Sequence, residues 1–561
     1  MEGEAFHRGS VQVMAREQRD VPERLRALVR KDLVRPDRAV LSGDEAFRFR
    51  HLLIRDAAYE ALAKTDRAEL HERFARWLEE RGAGLAELDE IVGYHLEQAF
   101  RYRCDLGPAN HKARRLAADA AAHLDATGRR ALDRGDTGAA LNLLERAEAL
   151  LPPQALDRAL QESLIRGLGE SGRIGDAISR AARVADQCAA AGDRVGELRA
   201  RLAGLIWRVS LDPERWFGEL RALVEEARPV IEQDGDAAAR AALEHAAGFV
   251  DLALCRNAAA SAEYARAMEH ARQAGDRWFE ASIRGRAASA LGLGPTSRNQ
   301  ALRWLENAEA QSATYQPGLK LALAAIQAEL GHFGEARRLV AETVAQMNER
   351  GMHLSAALAM HAAWDCEMLA GEHAAAEQAI RHGCEQLERL GEHSYLSTYA
   401  CELAEALYAL GRYEESEQWA LRGLELGSKD DLATQLFGLS VRSRLLARKG
   451  DLAAALALAE QVDALAASSE DPRDPGDAAL NRAELMHLTG ERAKAEAMTR
   501  RAIDCYQRNG ATARAPSAGQ TMGRLQFSNI GKAASEHRIR IGEHAPDPQA
   551  EARRLSILIP L

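Results

Sequence analysis

The sequence predicts an all-α protein, a right-handed solenoid of stacked helical hairpins entered through a small module of different texture. Three observations carry this. Five glycines, Gly331, Gly371, Gly411, Gly450 and Gly490, recur with a period of about 40 residues, as helical repeats do, and each is followed five positions later by a small residue: Ala336, Ala376, Ser416, Ala455 and Ala495. Hydrophobic residues make up 47% of the chain and charged residues 28%, but aromatics only 5%, so the apolar surface comes as Leu and Ala stripes of helical type. Finally, 561 residues exceed what a single core covers, whereas a stack whose units pack only on their neighbours has no such limit.

In chain order, Pro22 to Val34 reads as a short amphipathic helix with Leu25, Leu28, Val29 and Leu33 on one side, ended by Pro36. Phe47, Phe49 and His51 alternate with Arg48, Arg50 and Leu52, the period of a strand, after a turn at Ser42-Gly43-Asp44. Leu53 to Leu62 and Arg67 to Arg81 return to helix. Helix, hairpin, helix is the order of a winged-helix unit, assigned to residues 1–62, with a helical linker over 63–114. About ten hairpins are expected over 115–510. Gly135 with Ala140 and Gly172 with Ala177 repeat the glycine-plus-small pair, and weaker versions fit near Leu211, at Cys255 with Ala260, and near Gly294. Each glycine supplies a left-handed corner between antiparallel helices, and the small residue lets their backbones approach. Residues 511–561 lose the apolar period and are expected to form a disordered tail, with Leu555 to Leu561 apolar enough to dock.

Two resemblances follow from these residues. Gly331-His-Phe-Gly-Glu-Ala336 and Gly411-Arg-Tyr-Glu-Glu-Ser416 resemble the tetratricopeptide turn, an aromatic two places and a small residue five places after glycine; units here are longer than that family's. The string Phe47-Arg-Phe-Arg-His-Leu-Leu-Ile-Arg-Asp-Ala-Ala-Tyr59, with Arg67-Ala-Glu-Leu-His71 and Gly93-Tyr-His-Leu-Glu97, resembles the segment after the nucleotide-binding module in bacterial signal-transduction ATPases, which are often fused to class III adenylate or guanylate cyclase domains. The resemblance implies a winged helix followed by tetratricopeptide repeats, and a chain that starts just after the ATPase module. It also implies that Arg50 and His51 sense nucleotide phosphates across a domain interface, a task that suits a hydrogen-bond donor titrating near neutrality. The other reading of His51 is a histidine satisfied within the winged-helix core.

No other motif supplies chemistry. A GxxxxGK[ST] loop, an HExxH pair and a GxSxG elbow are missing, and no acidic pair fits a cyclase metal site. Gly167-Leu-Gly-Glu-Ser-Gly172 spells GxGxxG but falls on a repeat turn with no strand before it. His361 and Asp365 share a helix face, with Glu367 nearby, yet two ligands without a third do not make a metal site. Seven cysteines without a CxxC pair read as core residues in a reducing compartment. Arg24, Arg26, Arg30 and Lys31 are interleaved with Asp20, Glu23 and Asp32, a solvated face more than a phosphate-binding stripe. Trp207, Trp216, Trp278, Trp304, Trp364 and Trp419 read as core, with one or two available as anchors in a groove.

The expected function is therefore the non-catalytic sensor and interaction region of a bacterial signalling ATPase or cyclase regulator. Its partners are a protein or peptide in the repeat groove and a nucleotide-binding module in cis or trans; neither nucleic acid nor membrane is expected, nor any cofactor or metal. Two alternatives stand beside it: an enzyme by virtue of domains lying elsewhere, and a transcriptional regulator. A cytoplasmic location is expected, since the first residues lack a signal peptide and no run approaches 18 apolar residues.

Overall fold

A computed structural model describes residues 2–15, 20–39, 41, 43–85, 87–152, 157–310 and 315–515. Residues 516–561, most of the expected tail including Leu555 to Leu561, lie outside them.

The amino-terminal module comprises β1 (Ala5–His7), α1 (Arg8–Met14), α2 (Val21–Arg30), β2 (Val34–Asp37) and β3 (Ala46–Phe49). Its antiparallel sheet has the order β1-β3-β2. The expected hairpin is present, and β1 adds a strand the sequence reading does not contain. Phe6, Val21, Leu25, Val34 and Phe47 form a small separate core. The helix stops at Arg30, short of Pro36, because Asp32 takes a left-handed φ of 58° and the Leu33 N–H turns back to the Leu28 carbonyl. Pro36 sits instead in β2, an edge strand where a missing N–H is tolerated.

Three more helices follow: α3 (Leu52–Glu60), α4 (Lys64–Arg81) and α5 (Leu88–Leu106). They explain why three separated sequence strings occur together. Tyr59, His71 and His95, one from each string, form a hydrogen-bonded chain: Tyr59 Oη lies 2.9 Å from His71 Nε2, and the two Nδ1 atoms are 2.7 Å apart. Tyr102 closes the chain on Tyr59 at 2.8 Å, and the Arg67 guanidinium covers the Tyr59 ring. Within the stretch expected as a helical linker, α4 and α5 form an antiparallel pair that packs on the first repeat helix, and Glu97 reaches Arg146 of that repeat at 2.6 Å.

Ten helical hairpins among the described residues run from His111–Asp133 with Thr137–Leu150 to Asp474–Leu488 with Arg492–Asn509. The glycine comb performs as expected: Gly135, Gly172, Gly331, Gly371, Gly411, Gly450 and Gly490 all have φ between 74° and 91°. Every small residue five positions later is completely buried, and the Ser416 hydroxyl donates to the Ala404 carbonyl of the facing helix. Cys255 occupies a glycine position and keeps the corner at φ 51°, whereas Gly294 departs to an extended conformation. The segment 511–515 belongs to the solenoid, since Ala511 is buried against Tyr506 and the Ala513 N–H donates to the Glu329 carbonyl.

A second set of left-handed glycines, Gly192, Gly275, Gly351 and Gly391, turns the chain between hairpins, and Gly510 caps the last one. Their loops meet the within-hairpin turns of an earlier part of the chain. Thr137 N–H donates to Arg350 O, His393 N–H to Ser210 O, and Glu470 N–H to Cys255 O. Side chains repeat the pattern: Glu170 accepts from Ser355 N, Glu214 from Lys429 N, and Glu470 from Ala258 N, over separations of 185, 215 and 212 residues. The superhelix thus winds back onto itself, and consecutive coils are laced together along their edges.

Two predictions follow from this packing. Ala376→Leu overpacks a hairpin and lowers stability by about 1–3 kcal/mol, while Ala374→Leu on the exposed face of the same helix changes it by less than about 0.5 kcal/mol, both read from urea midpoints. Burial, aided by neighbouring positive charge, holds both His71 and His95 down to about 3. Between that value and the ordinary 6.5 the unfolded chain binds more protons, so the stability is complete above pH 6.5 and declines as the pH falls toward 3. A series of urea midpoints from pH 7 to pH 4 should show this decline, and His71→Phe should make it shallower.

Candidate ligand-binding lumen

The first helices of successive hairpins pack on one another, as Arg194–Leu211 does on Ala237–Ala253 and Ser394–Ala409 on Leu432–Lys449, so they form the inner wall of the coil. That wall is lined with charge. Arg166 pairs with Asp276 and lays its guanidinium 4.1 Å from the Phe279 ring centre. Arg199 pairs with Glu162, and Arg444 grips Glu405 through both terminal nitrogens.

The densest cluster surrounds Glu329, which is 3% exposed. It pairs with Arg298 and lies 2.5 Å from Arg473 and 3.6 Å from Arg514. Arg473 also binds Asp471 at 2.7 Å, and Arg514 binds Asp365 at 2.9 Å. Burial opposes ionisation of Glu329, but the three guanidinium groups outweigh it and hold the carboxyl down to about 2.

An aromatic step lies beside this cluster. The helix His353–Leu358 is interrupted at Ala359 before Met360–Ala370 resumes, and the Tyr399 hydroxyl donates to the Leu358 carbonyl at 2.5 Å. A side chain entering the helical hydrogen-bond ladder is a known cause of such a break. Just beyond it, His361 stacks on Trp364 and Tyr399, with ring centres 5.7 and 6.1 Å away. Its Nδ1 is 2.8 Å from the buried carboxylate of Glu402, and 43% of the side chain stays exposed to the lumen. Burial disfavours the imidazolium, but Glu402 prevails and raises the His361 value; burial raises Glu402 in turn. The Glu402 oxygens and Trp364 Nε1 are buried without a well-formed hydrogen bond.

The structure separates several residues that the sequence groups. His361 faces Glu402 while Asp365 faces Arg514, and Glu367 binds Arg337 at 2.6 Å; among the described residues no three His, Cys, Asp or Glu side chains gather as a metal site. Gly167 and Gly169 lie inside the helix Arg158–Glu170, where the Trp207 ring packs so closely on Gly169 that a Cβ would fall 2.0 Å from it. Their role is helix packing. Trp364 is buried, Trp207 and Trp278 are part-buried on first helices, and Trp216 and Trp419 lie under arginines on second helices. Trp304 is the most exposed of these, and it also belongs to a second helix, on the outer face.

Arg50 pairs with Asp32 at 2.5 Å, and His51 begins α3 as an exposed residue, which excludes its reading as a satisfied core histidine. Leu52 and Leu53 beside it are also exposed, and α3 buries no residue completely. Glu329, Glu402, Arg473 and Arg514 escape the sequence reading because the contacts that gather them join distant positions, such as Glu329 with Arg298 at 31 residues and Arg514 with Asp365 at 149, with no local motif to mark them. No helix among the described residues is long and apolar enough to cross a membrane.

No family model and no curated protein matches the chain. Among solved structures it is similar to a Rap protein complexed with competence and sporulation factor, at 13% identity over 70% of this chain and 99% of that one, with a TM-score of 0.44. It is similar to the APC/C hetero-tetramer Cut9–Hcn1 at 13% identity over 85% and 93%, TM-score 0.45, and to yeast Tom70 at 10% over 84% and 100%, TM-score 0.31. Likeness this loose carries no argument about function, and the fold class rests on the hairpins themselves.

The Glu329 cluster yields a prediction of its own. Glu329→Gln leaves three guanidinium groups facing one another and should cost about 3–5 kcal/mol, measured as a shift of the urea midpoint.

Proposed function

We propose that this chain is a repeat scaffold that binds a protein or peptide segment in its lumen and serves as the sensor region of a bacterial signalling ATPase or cyclase regulator. The observation that carries the first half is the inner wall: charged and aromatic side chains that keep part of their surface open inside the coil, His361 above all, with the buried Trp364 Nε1 beside it left without a hydrogen bond. Polar groups left unpaired inside a protein are costly unless something else meets them, and an extended peptide offers both backbone and side-chain partners.

The second half draws on the resemblance of the Phe47 to Tyr59 string and on the surface of α3. Arg50, His51, Leu52 and Leu53 present a mixed polar and apolar edge at the point where that resemblance implies a nucleotide-binding module. In this reading ligand in the lumen alters how the amino-terminal module sits against such a partner.

Hydrogen–deuterium exchange on the full chain with a random decapeptide pool tests the lumen. Protection is expected in first helices such as Arg277–Leu293 and Ser394–Ala409. Protection confined to second helices would overturn the proposal.

A further inference from the structure

We infer that Arg286 is the anchor of a carboxylate-binding subsite in the lumen, which takes an acidic side chain or the free carboxy terminus of a peptide. This rests on the reading of the lumen as a peptide site and names the chemistry of what it holds.

The argument is one of contrast. Arg166, Arg199 and Arg444 on the inner wall, and Arg298, Arg473 and Arg514 of the Glu329 cluster, each have a carboxylate partner. Arg286, deep in the same coil on the helix Arg277–Leu293, has no carboxylate within salt-bridge distance among the described residues. It meets phenols instead. Its Nη1 donates to the Tyr395 hydroxyl at 3.4 Å, a long contact across the lumen to a helix 109 residues further on. Tyr264, completely buried, packs its hydroxyl close enough to the same guanidinium to interact with it from behind. Glu170, the carboxylate whose field reaches this spot, accepts from Ser355 N and stays beyond ion-pair range.

The place thus offers a planar cation that is part-exposed to the lumen, without a carboxylate at ion-pair distance, and the loosely held hydroxyl of Tyr395. A carboxylate suits both: its two oxygens match the guanidinium fork, and a remaining lone pair accepts from the Tyr395 hydroxyl. A single negative charge balances a single guanidinium. A phosphate dianion would bring an excess negative charge into the field of Glu170.

Isothermal titration on the full chain tests this with three probes at equal ionic strength: tetra-aspartate with a free carboxy terminus, tetra-asparagine amide, and inorganic phosphate. Tetra-aspartate should bind, with affinity reduced at least about tenfold in Arg286→Gln and severalfold in Tyr395→Phe, and unchanged in the outer-surface variant Arg338→Gln. Tyr395→Phe keeps the ring and guards against a folding defect in the arginine variant. Equal binding of tetra-aspartate by wild type and Arg286→Gln would overturn the assignment, as would phosphate competing as well as the peptide. If both peptides bind alike to every variant, the lumen reading stands and the carboxylate subsite falls; if neither peptide binds the wild type, the lumen reading falls with it.

Discussion

Every level of this structure depends on a corner that ordinary side chains avoid. A left-handed residue at the end of most first helices reverses the chain within a few atoms, and a residue without bulk then brings the second helix against the first. Where the corner is not glycine, as at Cys255, the fold holds the conformation anyway, at a local cost of about 1–2 kcal/mol. That the conformation survives the change of residue shows that packing on both sides of the turn, and not glycine itself, dictates it. Glycine merely removes the resistance.

The extent to which the fold could be read from the sequence follows directly. Glycine and its small companion recur at a fixed interval, so the hairpins are visible in a single chain, and the buried positions of Ala336, Ala376, Ser416, Ala455 and Ala495 lie where the spacing puts them. The amino-terminal hairpin was legible by its alternation, but the short strand β1 was not, because three residues carry too little periodicity. The coil-on-coil lacing was invisible. Its contacts join backbone groups of loops, such as His393 with Ser210, and a backbone amide leaves no mark on residue identity.

The candidate site shows the same divide. The three strings around Tyr59, His71 and His95 are legible as motifs, but only the structure shows that they are one hydrogen-bonded chain joining α3, α4 and α5. Ion pairs such as Arg514 with Asp365 join residues 149 positions apart, and Arg514 sits in a stretch whose composition suggests disorder. Exposure likewise escapes the sequence: an arginine beside a histidine at positions 50 and 51 reads equally well as core or surface.

The lacing between coils changes what kind of object the solenoid is. An open superhelix is a spring with free pitch, which can widen at one repeat without consulting the next. Here the edge of each coil is tied to the edge of the following one, through Arg350 to Thr137, Lys429 to Glu214 and Glu470 to Cys255. A guest that spreads the wall anywhere must load several of these ties together. Strain is thus shared along the barrel and carried to its ends, where the helical pair α4 and α5 joins it to the amino-terminal module.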